Sequence, residues 1–253
     1  MPRLLRVHLL PELSSPREPG RKVMVVIDVL RASTTIAHAV SAGVHSIVPC
    51  LEVSEARAQL DKSDAKTGPT MLLGGERQGK PIPGFDLGNS PSEYTPSRIR
   101  GKQLIFTTTN GTRAMKRCLG AHRTLIGSFV NFSSISRSIE SAEEIELVCA
   151  GTNGEVTRED VLFAGALAAR QKVIDEQLSF NDSAQLACDA WKSIGGEAIS
   201  HEGLIQQLAD TTGGRNLAKI NLSADIEIAA KIDAIAVVPE LFLNEWQIRA
   251  VDQ

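Results

Sequence analysis

Short runs of consecutive apolar residues alternate along the chain with longer segments that have a helical pattern. The run VMVVIDV, from Val23 to Val29, is rich in β-branched residues, a composition typical of a strand that is buried on both faces of a sheet. Hydroxyl residues 33–35 follow it and suit the first turn of a helix that runs through Ala42 and ends at Gly43. The alternation predicts an α/β protein with three layers (α/β/α) and a mixed, largely parallel sheet.

The same reasoning predicts the other elements. Strands are predicted over Arg6–Leu10, Ser46–Pro49, Met71–Leu73, Gln103–Thr107, Thr124–Gly127, Glu144–Ala150 and Ala234–Pro239. Helices are predicted over 54–60, 112–119, 183–194, 203–211 and 224–230, with a further helix that ends at Arg170 and begins at a capping arrangement of Thr157 and Asp160. Residues 62–70 are predicted to form an exposed loop. The stretch 78–98 is too rich in Gly, Pro, Asn and Ser for a simple turn, and loops of that length are usually functional or disordered.

The chain is predicted to be a single α/β domain over residues 1–253, with an internal repeat as an open question. Units 27–49 and 105–127 both have the order strand, polar loop, helix, strand, and Thr34 aligns with Thr112. Any βαβ pair gives a similar match, so the pattern is compatible with two pseudo-repeated halves and with coincidence.

Charge and hydropathy exclude several classes of protein. The chain has 27 Lys and Arg against 30 Asp and Glu, a net charge of −3, so no basic surface for nucleic acid is expected. The longest apolar run, residues 23–30, contains Asp28 and is far shorter than the roughly 20 residues of a membrane-spanning helix. The apolar stretch at the N-terminus is too short for a signal peptide.

The four cysteines are expected to be free thiols. Cys50, Cys118, Cys149 and Cys188 lie far apart among apolar neighbours, and no CxxC or CxxH spacing occurs. A zinc site is therefore not indicated. Unpaired buried thiols suit a reducing compartment, so a cytoplasmic location is expected.

Polar residues follow the first long strand at its carboxyl end, where open α/β sheets bind ligands. Asp28 ends this strand, and Arg31 comes just before a helix. A carboxylate there can bind a cation or act as a nucleophile, while an arginine and helix N–H groups can hold phosphate oxygens. A simple pairing of Asp28 with Arg31 explains the same residues equally well.

A second polar run, TTTNGT at 107–112, also follows a strand directly. Its hydroxyls, the amide of Asn110 and the flexibility of Gly111 suit a cradle for an anion, because glycine lets backbone N–H groups approach an oxyanion closely. A polar turn that caps a helix is the alternative. The Walker pattern is absent, so this run is not a nucleotide P-loop.

A third candidate is the glycine-rich run LLGGERQGKPIPGFDLGNSP, which contributes Glu76, Arg77, Asp86, Asn89 and Ser90. Loops of this kind can hold catalytic side chains on a rigid backbone, and an ordered surface loop is the alternative. A weaker candidate, AGTNGEVTRED, offers polar residues at 153, 155 and 160.

Two common enzyme classes are not indicated. The five histidines form no HxH or HxxxH pair, and no GxSxG sequence occurs, which argues against a Ser-His-Asp hydrolase. No GxGxxG sequence opens a helix, which argues against a dinucleotide dehydrogenase.

Five runs taken together resemble a known family. VVIDVLRASTTI, LLGGERQG, GFDLGNSP, TTTNGT and LVCAGTNG occur in this order between Val23 and Pro239. Their order and spacing resemble the 2-phosphosulfolactate phosphatase (ComB-like) family. The resemblance implies a magnesium-dependent phosphatase of α/β/α fold that hydrolyses (2R)-phospho-3-sulfolactate to 3-sulfolactate and phosphate, a step of coenzyme M biosynthesis.

The resemblance also implies which residues form the site. Catalytic residues would be Asp28 and Arg31; substrate-binding residues would be Arg77, Asn89, Ser90, Thr109, Asn110, Gly111 and Thr112; ligands of Mg²⁺ would be Asp28, Glu76 and Asp86. Mg²⁺ prefers carboxylate oxygens and keeps several waters, in agreement with this set. The DxDx[TV] pattern of haloacid-dehalogenase phosphatases is absent, because no second Asp stands two positions after Asp28.

Two other functions stay open at this point. One is a phosphatase of the same fold that acts on another small phosphorylated acid, and the other is a non-catalytic anion-binding module. Carboxylates beside arginines favour catalysis, because anion binding alone gains nothing from Asp28 and Glu76. We expect a small-molecule substrate, no nucleic-acid or membrane partner, and leave open whether the protein is a homo-oligomer.

Overall fold

Strands and helices alternate along the chain as the sequence pattern predicts. The structure, a computed structural model, describes residues 3–14, 21–61 and 68–251. Its strands are β1 (Leu4–His8), β2 (Lys22–Ile27), β3 (Ser46–Cys50), β4 (Met71–Arg77), β5 (Lys80–Pro81), β6 (Gln103–Thr107), β7 (Arg123–Gly127), β8 (Glu144–Cys149), β9 (Ser179–Phe180), β10 (Val238–Phe242) and β11 (Gln247–Val251). Its α-helices are α1 (Ala32–Ser41), α2 (Val53–Asp61), α3 (Pro96–Ile99), α4 (Gly111–Arg117), α5 (Phe132–Ile139), α6 (Arg158–Ile174), α7 (Asp182–Ser193), α8 (His201–Ala209), α9 (Thr212–Lys219) and α10 (Ala224–Ala229).

The strands form one mixed, largely parallel sheet, which confirms the predicted fold class. Their order is β5-β4-β6-β3-β11-β10-β7-β2-β8-β1-β9. Parallel pairing joins β4, β6 and β3 in one block and β7, β2, β8, β1 and β9 in another. Helices cover the sheet on both sides, as a three-layer α/β/α architecture requires.

The β10–β11 hairpin joins the two parallel blocks. β10 pairs antiparallel with β7 through Glu240 and Leu125, and β11 pairs antiparallel with β3 through Ile248 and Ile47. The sequence-based prediction of a last strand over 234–239 is wrong, because β10 begins at Val238 and β11 follows it. A proline within an apolar run argues against a central strand. Strand β10 nevertheless contains Pro239, which lies opposite Ala250 of β11.

Side chains of β2 alternate between two hydrophobic cores. Val23, Val25 and Ile27 pack in a core that includes residues of α6 and α7. Met24 and Val26 pack in a second core with residues of α1, α4 and both β3 and β6. The continuous apolar run is therefore a strand buried on both faces, as predicted, and the second core is shared by the two blocks of the sheet.

Strand β4 extends beyond the predicted residues 71–73, because its two glycines are part of the strand. A Cβ atom at Gly75, where φ is +135°, would lie 1.9 Å from the carbonyl oxygen of Thr107. Glycine at this position lets the backbones of β4 and β6 approach closely, and the strand continues to Arg77. The pattern indicated a turn because glycine more often interrupts a strand.

Several short elements escaped the sequence analysis. Helices α5 and α9 were not predicted, and the first turn of α9 contains two glycines. The long loop after β4 contains β5, a 3-10 turn at Pro91–Glu93 and α3. Residues 62–67 of the predicted exposed loop lie outside the described residues. Among the helices that are described, none has the length and apolar character needed to cross a bilayer.

Both units of the suggested repeat have the expected order of elements. They are β2-α1-β3 and β6-α4-β7, and their helices have 10 and 7 residues. An ancestral duplication stays a prediction, and so does the assignment of residues 1–253 to a single domain.

The four cysteines are unpaired and buried, which confirms the predicted free thiols. Burial raises the pKa of the Cys50 and Cys118 thiols to about 12 and that of Cys188 to about 11. Burial also raises the pKa of Cys149 well above its usual value. Since the thiolate is the reactive form, all four should be inert in the folded protein.

We therefore predict that a disulfide-exchange reagent at pH 8, without reductant, modifies no cysteine of the folded protein within minutes. After denaturation in guanidinium, the same reagent should titrate all four thiols. Rapid modification of the folded protein would contradict the buried positions, and fewer than four thiols after denaturation would contradict the unpaired state.

Candidate active site

A cavity of about 360 Å³ opens where the chain leaves strands β2, β4 and β6. Its volume lies within the range of small-molecule sites, roughly 300–1,000 Å³. The residues that line it are Asp28, Leu30, Arg31, Glu76, Gln78, Gly79, Asn89, Thr109, Asn110, Thr152, Asn153, Gly213, Asn216, Leu217, Lys219 and Ile220. The first three polar runs singled out in the sequence thus meet at one place.

Direct contacts hold these strand ends together. A Cβ atom at Gly111, the first residue of α4, would lie 2.9 Å from Oδ2 of Asp28 and 2.8 Å from Cβ of Ala32. Thr109 donates its backbone N–H to Oε1 of Glu76 at 2.8 Å. The end of β6 therefore contacts the ends of both β2 and β4. Gly111 contributes to the site through its small size, which allows α4 to start against Asp28.

Asp28 is the cavity carboxylate with an oxygen left unbonded. Its Oδ1 accepts from the N–H of Ala32 at 3.2 Å, and no described residue donates to Oδ2. The side chain is 9% exposed. Burial, with smaller contributions from the charges of Glu76 and Glu159, raises the pKa of the Asp28 carboxyl to about 7. A carboxylate in this position needs a proton or a cation to compensate it.

Arg31 does not pair with Asp28, which excludes the simple ion pair considered from the sequence. Its Nη1 donates to Oδ2 of Asp225 at 2.8 Å, and its Nη2 donates to the carbonyl oxygen of Gly79 at 2.7 Å. The guanidinium is buried, yet Arg31 lines the cavity. No described residue accepts from its Nε, so part of this cation remains available to a ligand.

Glu76 lines the cavity, but backbone groups occupy both of its carboxylate oxygens. Oε1 accepts from Thr109 and Oε2 accepts from the N–H of Gly79 at 2.7 Å. The carboxylate therefore fixes the turn after β4 against the turn after β6. Glu76 thus orders the cavity wall, and its role as a ligand of Mg²⁺ stays a prediction.

Two buried polar atoms of the lining have no partner among the described residues. They are Oδ1 of Asn89 and Oγ1 of Thr109. The carbonyl oxygen of Asn89 accepts from the hydroxyl of Thr35, which holds this residue against α1. Asn110 is engaged differently, since its Oδ1 accepts from the N–H of Asn153 at 3.2 Å. Unpaired buried oxygens of this kind indicate a site for a ligand or an ion.

Of the site residues that the resemblance implies, five do not line this cavity: Arg77, Asp86, Ser90, Gly111 and Thr112. Arg77 donates to the carbonyl oxygens of Glu76 and Leu51 and to the Thr107 hydroxyl. Asp86 is exposed, and its Oδ2 accepts from the N–H of Leu73.

Ser90 and Thr112 are buried near the cavity. The hydroxyl of Ser90 donates to Asp225, and that of Thr112 lies 3.4 Å from the Thr108 hydroxyl. Of the run TTTNGT, only Thr109 and Asn110 line the cavity.

Two buried acids lie behind Asp28: Glu159, which was not predicted as part of the site, and Asp160, which belongs to the weaker run AGTNGEVTRED. Asp160 accepts from the N–H groups of Val29 and Gly151 and from the Thr157 hydroxyl, so it ties the end of β2 to the end of β8. Thr157 is the N-cap residue of α6, as predicted, but its side chain makes no capping bond to the backbone of the helix. Burial raises the pKa of Glu159 and of Asp160.

Helix α9 closes the cavity and was also missed. It contributes Gly213, Asn216, Leu217 and Lys219, and the N–H of Gly214 is capped by the Thr211 hydroxyl at 3.0 Å. Asn216 and Lys219 are three residues apart, the spacing of neighbours on one helix face. This spacing was the only local signal, and it is common in exposed helices.

The side chains around the cavity offer oxygen ligands for the predicted magnesium ion, but few carboxylates. Among the described residues, no group of three or more His, Cys, Asp and Glu side chains is arranged to hold a metal ion. One carboxylate with a free oxygen, on Asp28, and the unpaired oxygens of Asn89 and Thr109 nevertheless line the same cavity. Mg²⁺ often binds through one or two carboxylates, waters and substrate phosphate, so this all-oxygen donor set fits it.

Comparison with known proteins agrees with the family indicated by the five runs. A family model described as 2-phosphosulpholactate phosphatase matches residues 8–243. A protein of Symbiobacterium thermophilum named probable 2-phosphosulfolactate phosphatase is 36% identical over 224 residues, 88% of this chain and 92% of the relative. A Deinococcus radiodurans protein of the same name is 35% identical over 242 residues, 94% of this chain and 92% of the relative. The chain therefore belongs to the 2-phosphosulfolactate phosphatase family, a family of phosphoric monoester hydrolases.

Proposed function

We propose that this protein hydrolyses the phosphate monoester of (2R)-phospho-3-sulfolactate to 3-sulfolactate and phosphate, with Mg²⁺ as cofactor. The observation that carries the proposal is the buried Asp28 carboxylate, which lies uncompensated in a cavity that also contains Arg31. Membership of the family supports the reaction class. The intracellular role that the family name suggests, a step of coenzyme M biosynthesis in the cytoplasm, is part of the same proposal.

The charge of the substrate suits the cations of the cavity. Phosphate, carboxylate and sulfonate groups make the substrate strongly anionic, and the lining contributes Arg31 and Lys219. The unbonded edge of Arg31 would bind phosphate oxygens, since a guanidinium makes strong charge-assisted hydrogen bonds to phosphate. Lys219 is exposed, so it would contact the outer part of the substrate.

Asp28, Asn89 and Thr109 would hold the cation. Bound there, Mg²⁺ would neutralise charge on the phosphate while the bond between phosphorus and the ester oxygen breaks. Asp28 would then be ionised, because a bound cation compensates the carboxylate that burial otherwise protonates. Asp86 is left out of this ligand set, since its side chain is bonded to Leu73 outside the cavity.

The proposed role of Asp28 predicts a large loss of activity in Asp28→Asn. The amide is nearly isosteric and keeps the acceptor for Ala32, but it removes the charge, so phosphate release should fall roughly a thousandfold or more. The measurement is phosphate release from phosphosulfolactate and from a panel of other small phosphorylated acids, with Mg²⁺ and with EDTA.

Asp189→Asn, an exposed change on α7, is the matched control and should keep wild-type turnover. Asp86→Asn distinguishes the proposed ligands of Mg²⁺, Asp28, Asn89 and Thr109, from the ligands expected from the sequence, which include Asp86. This variant should be inactive only if Asp86 binds the metal. Wild-type turnover in Asp28→Asn, or activity unaffected by EDTA, would show that the proposed metal site is wrong. Release from another acid but not from phosphosulfolactate would leave the mechanism in place and change the substrate.

A second prediction compares the two arginines. Arg31→Lys keeps the charge but loses the planar fork, so kcat/KM should fall by about 5–150-fold, equivalent to about 1–3 kcal/mol. Arg77→Lys removes bonds to Leu51 and Thr107 outside the cavity. It should lower the melting temperature while kcat/KM changes less than about threefold. The reverse pattern in steady-state kinetics and melting curves would assign phosphate binding to Arg77.

A third prediction concerns pH and stability in metal-free protein. Burial raises the pKa of Asp28 from 3.8 to about 7 in the folded state, so between these values the folded protein binds more protons than the unfolded chain. Its free energy of unfolding should therefore fall as pH rises from about 4 to 7. Asp28→Asn removes this cost and should be more stable than wild type at pH 8, by about 2–4 kcal/mol.

Urea unfolding in EDTA at pH 4, 6 and 8 measures this difference. The difference in the free energy of unfolding between the two proteins should shrink to below about 1 kcal/mol at pH 4, where Asp28 is protonated in the folded protein and about half protonated in the unfolded chain. If the free energies of unfolding of wild type and Asp28→Asn differed equally at pH 4 and pH 8, the Asp28 carboxyl would titrate normally in the folded protein.

A further inference from the structure

Arg31 is held by an acid that no sequence motif marks. Asp225 lies in α10, 194 residues further along the chain, and its Oδ2 accepts from Nη1 of Arg31 at 2.8 Å. Asp225 is 2% exposed and Arg31 is 4% exposed. The ion pair is thus shielded from water, in the wall between the main cavity and a smaller adjoining one of about 140 Å³ that Arg31 also lines.

Both oxygens of Asp225 are occupied, so the carboxylate has a fixed orientation. Its Oδ1 accepts from the hydroxyl of Ser90 at 2.5 Å, and this hydroxyl also lies 2.9 Å from that of Ser92. The carbonyl oxygen of Gly79 accepts from the other terminal nitrogen of Arg31. Two acceptors from different parts of the chain therefore fix the plane of the guanidinium and leave Nε without a bond to the described residues.

The charge of Asp225 opposes the binding of an anion. A buried carboxylate 2.8 Å from Arg31 cancels much of the positive charge that would attract a phosphate. Arginine has many rotamers, however, and a guanidinium that is already oriented loses less freedom when it binds an oxyanion. What Asp225 can contribute is therefore orientation rather than attraction.

We propose that Asp225 is a positioning residue, which holds the guanidinium of Arg31 so that its unbonded edge meets the phosphate group. The proposal rests on the proposed function. The proposal predicts that loss of the Asp225 charge affects kcat and KM differently. Without this charge, Arg31 attracts the anionic substrate at least as well, but its guanidinium is no longer held in place. Asp225→Asn should therefore lower kcat about tenfold or more, with KM unchanged or reduced.

A double-mutant cycle distinguishes positioning from general stabilisation. Phosphate release is measured for wild type, Asp225→Asn, Arg31→Lys and the double variant, with Asp189→Asn on α7 as a matched Asp→Asn control. If Asp225 acts through Arg31, Asp225→Asn should change kcat less than about threefold in the Arg31→Lys background. A merely structural role would lower kcat by the same factor in both backgrounds, and that result would overturn the proposal.

Ser90→Ala provides the test if Asp225→Asn does not fold. It frees one oxygen of Asp225 without leaving Arg31 unpaired, so kcat should fall about threefold to tenfold in the wild-type background and stay unchanged in the Arg31→Lys background. Equal losses in both backgrounds would overturn the proposal. A folded wild type that releases no phosphate from any acid of the panel would overturn the proposed function and this inference with it, whereas an active wild type with an additive cycle overturns the inference alone.

Discussion

The start of α4 packs against the end of β2 at a distance that leaves no room for a side chain at position 111. This contact between Gly111 and Asp28 brings the end of one parallel block of the sheet against the end of the other. The two blocks are separated by the β10–β11 hairpin, but they share a core that contains α1 and α4. Glu76 and Thr109 meet because β4 and β6 are neighbouring strands of one block. Without the close approach of Gly111, Asp28 of the other block would not share a cavity wall with them.

Several buried acids surround the cavity, and hydrogen bonds or an ion pair compensate the negative charge of most of them. Glu76 and Asp160 accept from backbone N–H groups, and Asp225 accepts from Arg31 and Ser90. Asp28 has a single such bond and an elevated pKa. A buried charge is unfavourable unless it is paired. Among the described carboxylates that line the cavity, Asp28 is the one with an oxygen left unbonded, and this is why we propose that a cation binds there.

The family and the structure contribute different parts of this interpretation. Membership of the 2-phosphosulfolactate phosphatase family gives the reaction class. The structure separates residues that contact the cavity from residues that only support it. Two neighbours such as Glu76 and Arg77 take different positions, since one faces the cavity and the other is bonded to Leu51 behind it.

The sequence by itself determined the alternation of strands and helices, the burial of β2 on both faces and the three polar runs that converge, because apolar periodicity and strand-end polarity are local properties. It did not determine the β10–β11 hairpin at the centre of the sheet, the extension of β4 through two glycines, or the wall that α9 provides. It also could not separate Arg31 from Arg77 or identify Asp225. Those outcomes depend on hydrogen bonds and close contacts between segments as far as 194 residues apart, and only the tertiary structure decides which partner each side chain meets.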